Sequence, residues 1–461
     1  SEDRTIQFFV DTDGTTKIKK YEDSDGNGEV YPDDADDPTP TTHALADLSP
    51  IWEGGEKLAL RSASDRTIYT FIDGDQDGVP DTGEWGADKF VSSNYAQLKP
   101  YLNADDDTEA QNVINFIRGE HVASMRDRRL TVDGTADQVW KFADITYSTP
   151  VSLGTPMEKY HLTYGDSTYH EFYRYHKNRR VVVYAGANDG MLHAFNAGFY
   201  HEGDDSSTSS TVERGWYSDP VDSKTNNADI GKELWAYIPY NLLPHLKWLT
   251  SHDYCHVYYV DLKPKILDAR IFDDDTTHPN GWGTILIGGM RLGGGELELK
   301  KDFGSGTETR TFRSAYFAID ITDPLNPDLL WEFTDADLGF TTSYPAIIRV
   351  GARDQAGSWY VVFGSGVGTL DGDGATSNHY VYILDLETGG VTYSRKVDIA
   401  AVDSEINNKK CYMADPISVD IGVNYQVDTG YIGASYYNVD WLGKMYRINI
   451  DEKTDPDQWS F

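Results

Sequence analysis

One pattern recurs from about residue 140 onward: short apolar runs that each end in a polar or glycine-containing turn. It is seen in VVVYAGANDGMLHAFNA (181–197), AYFAIDITDPLNPDLLWEF (315–333), YVYILDLETGG (380–390) and LGKMYRINID (442–451). STP (148–150) and SYP (343–345) each precede a further strand. Units spaced roughly 40 to 60 residues apart are typical of propeller blades, which bury apolar side chains on both faces. A β-sandwich with long insertions is the alternative, and the repetition favours the propeller.

Composition supports an all-β-dominated chain. The 461 residues include 31 Tyr, 11 Trp, 17 Phe and 42 Gly, and such a mixture suits short strands and tight turns better than long helices. The length exceeds one small domain. We therefore predict an N-terminal α+β extension over residues 1–135 and a β-propeller over residues 136–461. Because the sequence ends at Phe461, we expect the last blade or blades of this propeller to be absent or to be supplied by other residues. With no initiator Met and no visible signal peptide, we expect a processed piece of a larger protein.

Residues 57–72 (KLALRSASDRTIYTFI) and 84–91 (EWGADKFV) are predicted to form a pair of strands joined by an acidic turn. Residues 232–251 are predicted to begin as a strand and to continue as a short helix.

Residues 105–120 are the best helix candidate. Val113, Ile114 and Ile117 recur with helical spacing, and acidic residues lead the first turn. The tripeptide RGE (118–120) resembles the adhesive Arg-Gly-Asp, but its position at the end of the helix favours a glycine cap.

The charge of the chain limits its partners. Forty basic and 75 acidic residues give a net charge of −35. Such a surface repels nucleic acid and anionic lipid and attracts divalent cations, although a salt-adapted or very soluble protein can also be this acidic. No 18-residue apolar run is present, so no membrane span is predicted.

The first acidic loop, DGDQDGVPDTGE (residues 73–84), has the spacing of a calcium-binding EF-hand loop. That loop takes oxygen ligands from positions 1, 3, 5, 7, 9 and 12, with Gly at position 6 for a sharp turn. Gly78 occupies position 6 here. The predicted ligands, in order of position, are Asp73, Asp75, Asp77, the backbone carbonyl of Val79, Asp81 and Glu84. The flanks are not two amphipathic helices, so we predict an EF-hand-like loop bound to Ca²⁺. A plain acidic turn is the alternative.

The second acidic loop, DSDGNGEVYPDD (residues 23–34), repeats the spacing. Its predicted ligands are Asp23, Asp25, Asn27, Glu29 and Asp34, with Tyr31 leaving room for water at position 9. The final Asp is shorter than Glu, so bidentate binding is less favoured. An acidic disordered loop is the alternative.

The third acidic loop (residues 420–428) is sparser. Asp420, Asn424 and Asp428 stand four residues apart, and Gln426 can contribute its backbone carbonyl. The sequence DGDG (371–374) is better explained by a β-turn than by a metal site.

Enzyme signatures are mostly missing. There is no H-E-x-x-H, G-x-S-x-G, Walker loop or C-x-x-C, and GSGVG (364–368) precedes no helix pattern. His193, within a strand phrase, fits a structural hydrogen bond between blades better than catalysis. The chain has only two cysteines, Cys255 and Cys411, which are too few for a disulfide scaffold or a zinc cluster. Whether the two form a disulfide with each other is left open.

Several longer motifs in order resemble the C-terminal domain of the PilY1 family of type IV pilus assembly factors and tip adhesins. They are IWEGGEKLA, RTIYTFIDGDQDGVPDTGE, VINFIRGE, YAGANDGMLHAFNAG, ELWAYIPYNLLPHL, HVYYVDLKPKILDARI and WGTILIGGMRLGGG. The resemblance covers residues from about 50 to 451. It implies a modified, quinoprotein-like β-propeller, here with an N-terminal extension that carries the EF-hand-like loops.

The resemblance also implies a calcium loop of the form D-x-D-x-D-x-x-x-D near the C-terminal blade. Asp420, Asn424 and Asp428 match three of its positions, whereas Gly422 stands where the second Asp belongs. That departure puts calcium binding at the third acidic loop in doubt. The von Willebrand-like portion of many members is not visible.

The function implied is that of a non-enzymatic, calcium-stabilised pilus assembly factor and tip adhesin. We expect export through the periplasm to the cell surface or pilus tip, with minor pilins and a host or abiotic surface ligand as partners. Two alternatives remain: a pyrroloquinoline-quinone dehydrogenase, and a lectin-like or protein-binding propeller unrelated to pili. Against the dehydrogenase, the sequence has no adjacent cysteines.

Overall fold

Strands dominate the computed structural model of the chain, and most of them pair antiparallel with their neighbours. The structure describes residues 5–24, 29–48, 50–203, 215–219, 229–304, 306–368, 379–389, 394–407, 409–420, 426–437 and 441–461.

The N-terminal residues form a separate three-stranded sheet. Its strands, in the order they pair, are β1 (Thr5–Val10), β2 (Thr16–Tyr21) and β3 (Thr41–Ala44). Ile18 is buried, whereas Phe8 and Val10 on the edge strand are more than half exposed.

Residues 51–139 form a mixed helix and strand layer. Its elements are α1 (Gly54–Leu60), β4 (Ile68–Phe71), β5 (Trp85–Gly86), α2 (Tyr95–Leu98), α3 (Asp107–Arg118), β6 (Arg129–Val132) and β7 (Thr135–Val139). The predicted helix is confirmed as α3, and the predicted glycine cap is Gly119, which ends it in the left-handed region at φ 108°. The sequence predicted a strand from residue 57, but residues 54–60 are helical. Glu, Lys, Leu and Ala are strong helix formers, and Leu58 and Ala59 are buried there.

The first propeller sheet incorporates two strands from this layer. Residues 140–238 contribute β8 (Val151–Leu153), α4 (Tyr160–Thr163), α5 (Tyr169–His176), β9 (Val181–Gly186), β10 (Leu192–Glu202), β11 (Gly215–Ser218) and β12 (Glu233–Ile238). The sheet order is β5-β4-β12-β10-β9-β8, with β11 paired to β10 and β4 parallel to β12. The predicted boundary at residue 135 falls in the β6–β7 hairpin, and the division into two domains stays a prediction.

Three further sheets follow in chain order. Their elements are β13 (Lys265–Arg270), β14 (Trp282–Gly289), β15 (Leu297–Asp302), β16 (Thr307–Phe312), β17 (Tyr316–Asp320), β18 (Asp328–Phe333), β19 (Ala346–Val350), β20 (Ser358–Gly364), β21 (Tyr380–Asp385), β22 (Ser394–Asp398), α6 (Ile399–Val402), β23 (Lys410–Met413), β24 (Ile417–Val419), β25 (Thr429–Tyr437) and β26 (Trp441–Asn449). The second sheet is β13-β14-β17-β18 and the third is β19-β20-β21-β22; in the fourth, β23, β24 and β26 all pair with β25. β15 and β16 form a separate hairpin.

Short 3₁₀ helices complete the described elements. They are Leu45–Asp47, Ala63–Asp65, Ser92–Asn94, Tyr240–Thr250, Pro279–Gly281, Ser404–Ile406 and Pro456–Gln458. β12 followed by Tyr240–Thr250 matches the strand-then-helix prediction for residues 232–251.

Neighbouring sheets are joined by a repeated tryptophan contact. Trp235 Nε1, on the last propeller strand of the first sheet, donates to Pro324 O in the β17–β18 turn at 2.9 Å. Trp331 Nε1, on the last strand of the second sheet, donates to Leu386 O in the β21–β22 turn, also at 2.9 Å. Equivalent positions in successive sheets therefore make equivalent bonds.

A second repeat explains the STP and SYP phrases. Ser148 Oγ accepts from Gly186 N at 2.7 Å, and Ser343 Oγ accepts from Gly364 N at 3.0 Å. In both sheets the serine precedes the first strand and the glycine ends the second. These bonds, and cores shared between consecutive sheets, produce the propeller packing that the repeats predicted.

Candidate metal centre

The first acidic loop (residues 73–84) connects β4 to β5 at the edge of the first sheet. Phe71 pairs with Trp85, and Ile72 N donates to Glu84 O at 3.2 Å. The two strands therefore close at the base of the loop and gather its carboxylates within a short segment.

Three of the predicted ligands lie together. Asp73, Asp75 and Asp77 each offer a carboxylate oxygen within 4.8 Å of those of the other two. Asp73 is buried, and the other two are exposed. A group of oxygen ligands at this spacing, with two members open to solvent, is suited to a hard divalent cation such as Ca²⁺.

The remaining predicted ligands hold the loop closed in the structure. Glu84 Oε1 accepts from Gly74 N at 2.7 Å, and Glu84 Oε2 accepts from Asp81 N at 3.1 Å. Val79 N donates to Asp77 Oδ1 at 2.8 Å. Asp81 and Glu84 are not part of the three-carboxylate group in the described part of the chain, so their role as ligands stays a prediction.

Asp73 is the carboxylate of this cluster whose pKa is raised by burial and by its acidic neighbours. Burial raises the pKa of Asp73 to about 6, and the carboxylates of Glu84 and Asp77 act in the same direction. The backbone N–H groups of Gln76 and Gly78 donate to Asp73 at 2.5 and 3.1 Å and oppose this shift. A cation among these oxygens would offset both burial and repulsion.

Gly78 docks the loop on the second sheet. Gly78 O accepts from Glu332 N at 2.8 Å, and Gly78 has a left-handed φ of 80°. A Cβ on Gly78 would lie 2.3 Å from Glu332 O. The turn requirement was predictable from position 6 of the loop, but the close approach to another strand was not.

Arg310 is a residue that the sequence reasoning missed. Its Nη1 donates to Asp73 O at 2.6 Å and its Nη2 donates to Gly74 O at 2.8 Å. Because these bonds go to backbone carbonyls, Arg310 anchors the loop without a direct ion pair to the carboxylate cluster. A cavity of about 370 Å³ is lined by Arg310 and by Asp73, Gln76, Asp77 and Gly78 of the loop. No local signal could have identified this partner, which lies 237 residues along the chain.

The second acidic loop is described in part. Asp23, Glu29 and Asp34 lie within the described residues, whereas Asp25 and Asn27 lie outside them. Asp37, outside the twelve-residue template, is buried; its Oδ1 accepts from Ser24 N and Ser24 Oγ at 2.7 and 2.6 Å. Its Oδ2 is buried and has no donor among the described residues.

The third acidic loop connects β24 to β25. Asp420, Gln426 and Asp428 are described, and Asn424 lies outside the described residues, as does DGDG (371–374). Gln426 is buried, and its Oε1 accepts from Gly351 N at 2.9 Å. The side chain of Gln426 thus fixes the loop against the third sheet.

His193 and the cysteines have structural surroundings. His193 is buried in β10, with Nδ1 2.8 Å from Glu233 Oε1 and Nε2 3.1 Å from both Asp189 carboxylate oxygens. Both partners belong to the same sheet or its turns, so the predicted bond between blades is instead a bond within one sheet. Cys255 is exposed, Cys411 is buried, and both are free thiols.

Comparison with known proteins gives a consistent result. Residues 142–460 match the family model described as the PilY1 beta-propeller domain. A type IV pilus biogenesis factor PilY1 from Pseudomonas aeruginosa (strain PAK) is 27% identical over 422 residues, which cover 89% of this chain and 28% of the relative. A PilY1 homolog from Xylella fastidiosa (strain Temecula1) is 31% identical over 283 residues, covering 60% of this chain and 18% of the relative.

Among solved structures, the C-terminal domain of Pseudomonas aeruginosa PilY1 is similar, with 24% identity and a TM-score of 0.40. The match covers 65% of this chain and 45% of that structure. In the described part of the chain, no helix has the length and apolar character needed to cross a bilayer.

Proposed function

Because the chain belongs to the PilY1 β-propeller family, we propose that it is part of a non-enzymatic type IV pilus assembly factor and tip adhesin. The observation that carries this proposal is the family match over residues 142–460, together with relatives named type IV pilus biogenesis factors. The chain spans about 28% of the length of the Pseudomonas relatives that it matches.

The proposed location is the cell surface or pilus tip, reached by export through the periplasm. The proposed partners are minor pilins and a host or abiotic surface ligand. The net charge of −35 supports a protein partner over nucleic acid or an anionic bilayer. A propeller of the quinoprotein-like type would act here as a rigid scaffold that presents loops, without the chemistry of a bound quinone.

Deleting the gene for the full-length protein should test this function. We expect loss of most sheared surface pilin, restored by a plasmid copy, and co-purification of minor pilins with the tagged protein. Normal piliation in the deletion strain, together with no pilin in the purified sample, would contradict the proposal.

We further propose that Ca²⁺ stabilises the propeller through the first acidic loop. The loop touches Glu332 in the second sheet while its own strands belong to the first. Asp73, Asp75 and Asp77 would hold the ion, and Val79, Asp81 and Glu84 are the further proposed ligands. Ordering the loop would therefore strengthen the junction between two sheets. The second and third acidic loops are proposed as weaker sites.

Calorimetry of the purified chain, first in EDTA and then in about 10 mM Ca²⁺, tests the calcium proposal. For an extracellular site with a Kd of about 10⁻⁴ to 10⁻³ M, linkage predicts about 1–3 kcal/mol of added stability. The variant Asp73→Asn with Asp77→Asn should lose most of this gain. Asp133→Asn, in an exposed turn of the β6–β7 hairpin, is the matched control and should retain it. An equal response in all three proteins would refute a site at this loop.

A further inference from the structure

A cationic pocket lies between the β6–β7 hairpin and the first propeller sheet, away from the acidic loops. It has a volume of about 310 Å³ and is lined by Arg126, Arg128 and Lys141. Trp140 and Tyr254 supply aromatic walls. Three cations around one pocket stand out in a chain with a net charge of −35, and a volume near 300 Å³ is at the small end of ligand pockets.

The direct contacts that hold these cations in place are with neutral groups. Arg126 lies over the Tyr254 ring at 4.3 Å, and Arg128 lies over the Phe116 ring at 3.7 Å. Arg128 Nη2 donates to Phe116 O, and Lys141 Nζ donates to Ala59 O at 3.0 Å. These partners are rings and backbone carbonyls, so they position the charges but supply no counter-charge.

Several donors of the two arginines have no acceptor among the described residues. The side chain of Arg126 donates no hydrogen bond to any described residue, and Nε of both Arg126 and Arg128 is buried without a partner. Asp127, between them in sequence, is already paired with Arg129 at 2.8 Å. A guanidinium with unused donors is the group that best recognises a planar oxyanion.

The two carboxylates that line the pocket are already used. Both oxygens of Asp189 accept from His193 Nε2 at 3.1 Å, and Asp189 Oδ2 also accepts from Ala143 N. Both oxygens of Asp144 contact His256 Nε2, at 3.1 and 3.0 Å, and Asp144 Oδ2 also accepts from Asn188 Nδ2. Neither carboxylate makes an ion pair with the arginines or Lys141 of the pocket within the described part of the chain.

The surroundings also show the cost of burying these cations. Burial, with Arg126 nearby, lowers the pKa of Arg128 to about 9, and the carboxylate of Asp189 opposes this shift only in part. Burial, with Arg66 and Arg128 nearby, lowers the pKa of Lys141 to about 8. An anion in the pocket would oppose both shifts, since it favours the charged forms.

We propose that this pocket binds a small organic molecule carrying an oxyanion, either a carboxylate or a phosphate, beside an apolar or ring-shaped portion. The oxyanion would accept from Arg126 and Arg128, with Lys141 adding charge. The apolar portion would contact Trp140 and Tyr254. This binding activity is separate from the proposed pilus role and from calcium.

Titration calorimetry of the full chain with three matched probes tests the proposal. Glucuronate and glucose 6-phosphate carry the oxyanion on the same ring, and glucose lacks it. We expect at least one charged probe to bind saturably and about tenfold or more tighter than glucose, as expected for a charge-assisted contact. Which charged probe binds tighter identifies the preferred group.

Variants locate the site. Arg126→Gln should weaken binding of the charged probe about tenfold, and Arg126→Glu should abolish it, because charge reversal repels the oxyanion. Both should fold normally, since the Arg126 side chain makes no hydrogen bond to the residues that the structure describes; near-ultraviolet circular dichroism checks this. Arg129→Gln, on the same hairpin, is the control and should leave binding unchanged. The proposal is overturned if no charged probe binds below about 10 mM, or if Arg126→Glu binds like Arg129→Gln.

Discussion

The charged side chains at the two ends of β4 (Ile68–Phe71) are arranged differently. Before the strand, Arg66 is buried and donates to Glu233 through Nε and Nη2, both at 2.8 Å, and Glu233 also bonds His193. After the strand, Asp73 and its neighbouring carboxylates face one another, and Arg310 binds their backbone. One end is a closed network of alternating charge, and the other is a cluster of one sign.

The two ends differ in what compensates their buried or clustered charges. Burial alone would lower the pKa of Arg66 and raise that of Glu233, but their pairing shifts both in the opposite directions. The charges of this network are therefore compensated by other side chains of the protein, without an ion from solution. The first acidic loop has backbone donors, but no described residue places a countercharge directly at its carboxylates. We therefore expect its stability to depend on cations in solution.

Removing the charge of Glu233, which bonds both Arg66 and His193, should have the largest effect on the free energy of unfolding. Glu233→Gln keeps the shape of the side chain but leaves the buried Arg66 without its counter-charge, which should cost about 3–5 kcal/mol in the free energy of unfolding. Urea denaturation measures it. Glu298→Gln, on the exposed face of β15, should cost less than about 0.5 kcal/mol. Similar costs for the two variants would show that the network is not important for stability.

The docking of the acidic loop can be tested by a glycine pair. Gly78 and Gly83 both have left-handed φ values, 80° and 91°, but a Cβ on Gly83 meets nothing within 4 Å. Gly83→Ala should cost about 1 kcal/mol from backbone strain alone. Gly78→Ala should cost about 1–3 kcal/mol more because its Cβ collides with Glu332 O. Thermal denaturation compares them, and equal costs would mean that the loop moves freely off the second sheet.

The smallest expected effect is on the pH dependence of stability. Burial would lower the pKa of His193, but Asp189 and Glu233 raise it from 6.5 to about 9. Protonated His193 therefore contributes stability that is full below about pH 6.5 and lost as pH rises through about 9. Between pH 6.5 and 9.5, we expect the wild type to lose about 1–3 kcal/mol more than His193→Gln.

Measuring the free energy of unfolding of both proteins at the two pH values checks this difference. Lys141, whose pKa burial lowers to about 8, titrates in the same window, but it is present in both proteins, so most of its contribution cancels. Parallel pH profiles for wild type and variant would show that His193 is neutral in the folded protein.

Much of the fold was predictable because its signals are local. Repeated apolar runs with turn residues indicated the propeller, and the polar start, apolar spacing and Gly119 indicated α3 with its cap. The segment from residue 57 was predicted incorrectly as a strand because a short apolar run does not by itself distinguish a buried helix turn from a strand. The tertiary contacts of Leu58 and Ala59 decided it.

For the candidate metal site, only the spacing of the acidic residues along the sequence was predictable. The first acidic loop was recognised from alternating carboxylates, and the structure brings Asp73, Asp75 and Asp77 together. Arg310 and Glu332 were not foreseeable, since each contacts the loop from more than 200 residues away in the chain. Asp37 was missed because it lies outside the template that the second loop matched.

The sequence by itself determined the propeller repeat, the main helix and the oxygen-rich composition of the acidic loops, since each depends on residues near one another along the chain. Only the tertiary structure decided that the first loop docks on the second sheet, that Arg66 meets Glu233, and that Arg126, Arg128 and Lys141 surround one pocket. Packing of distant strands sets these contacts, and burial then makes each charge depend on the neighbour that packing provides.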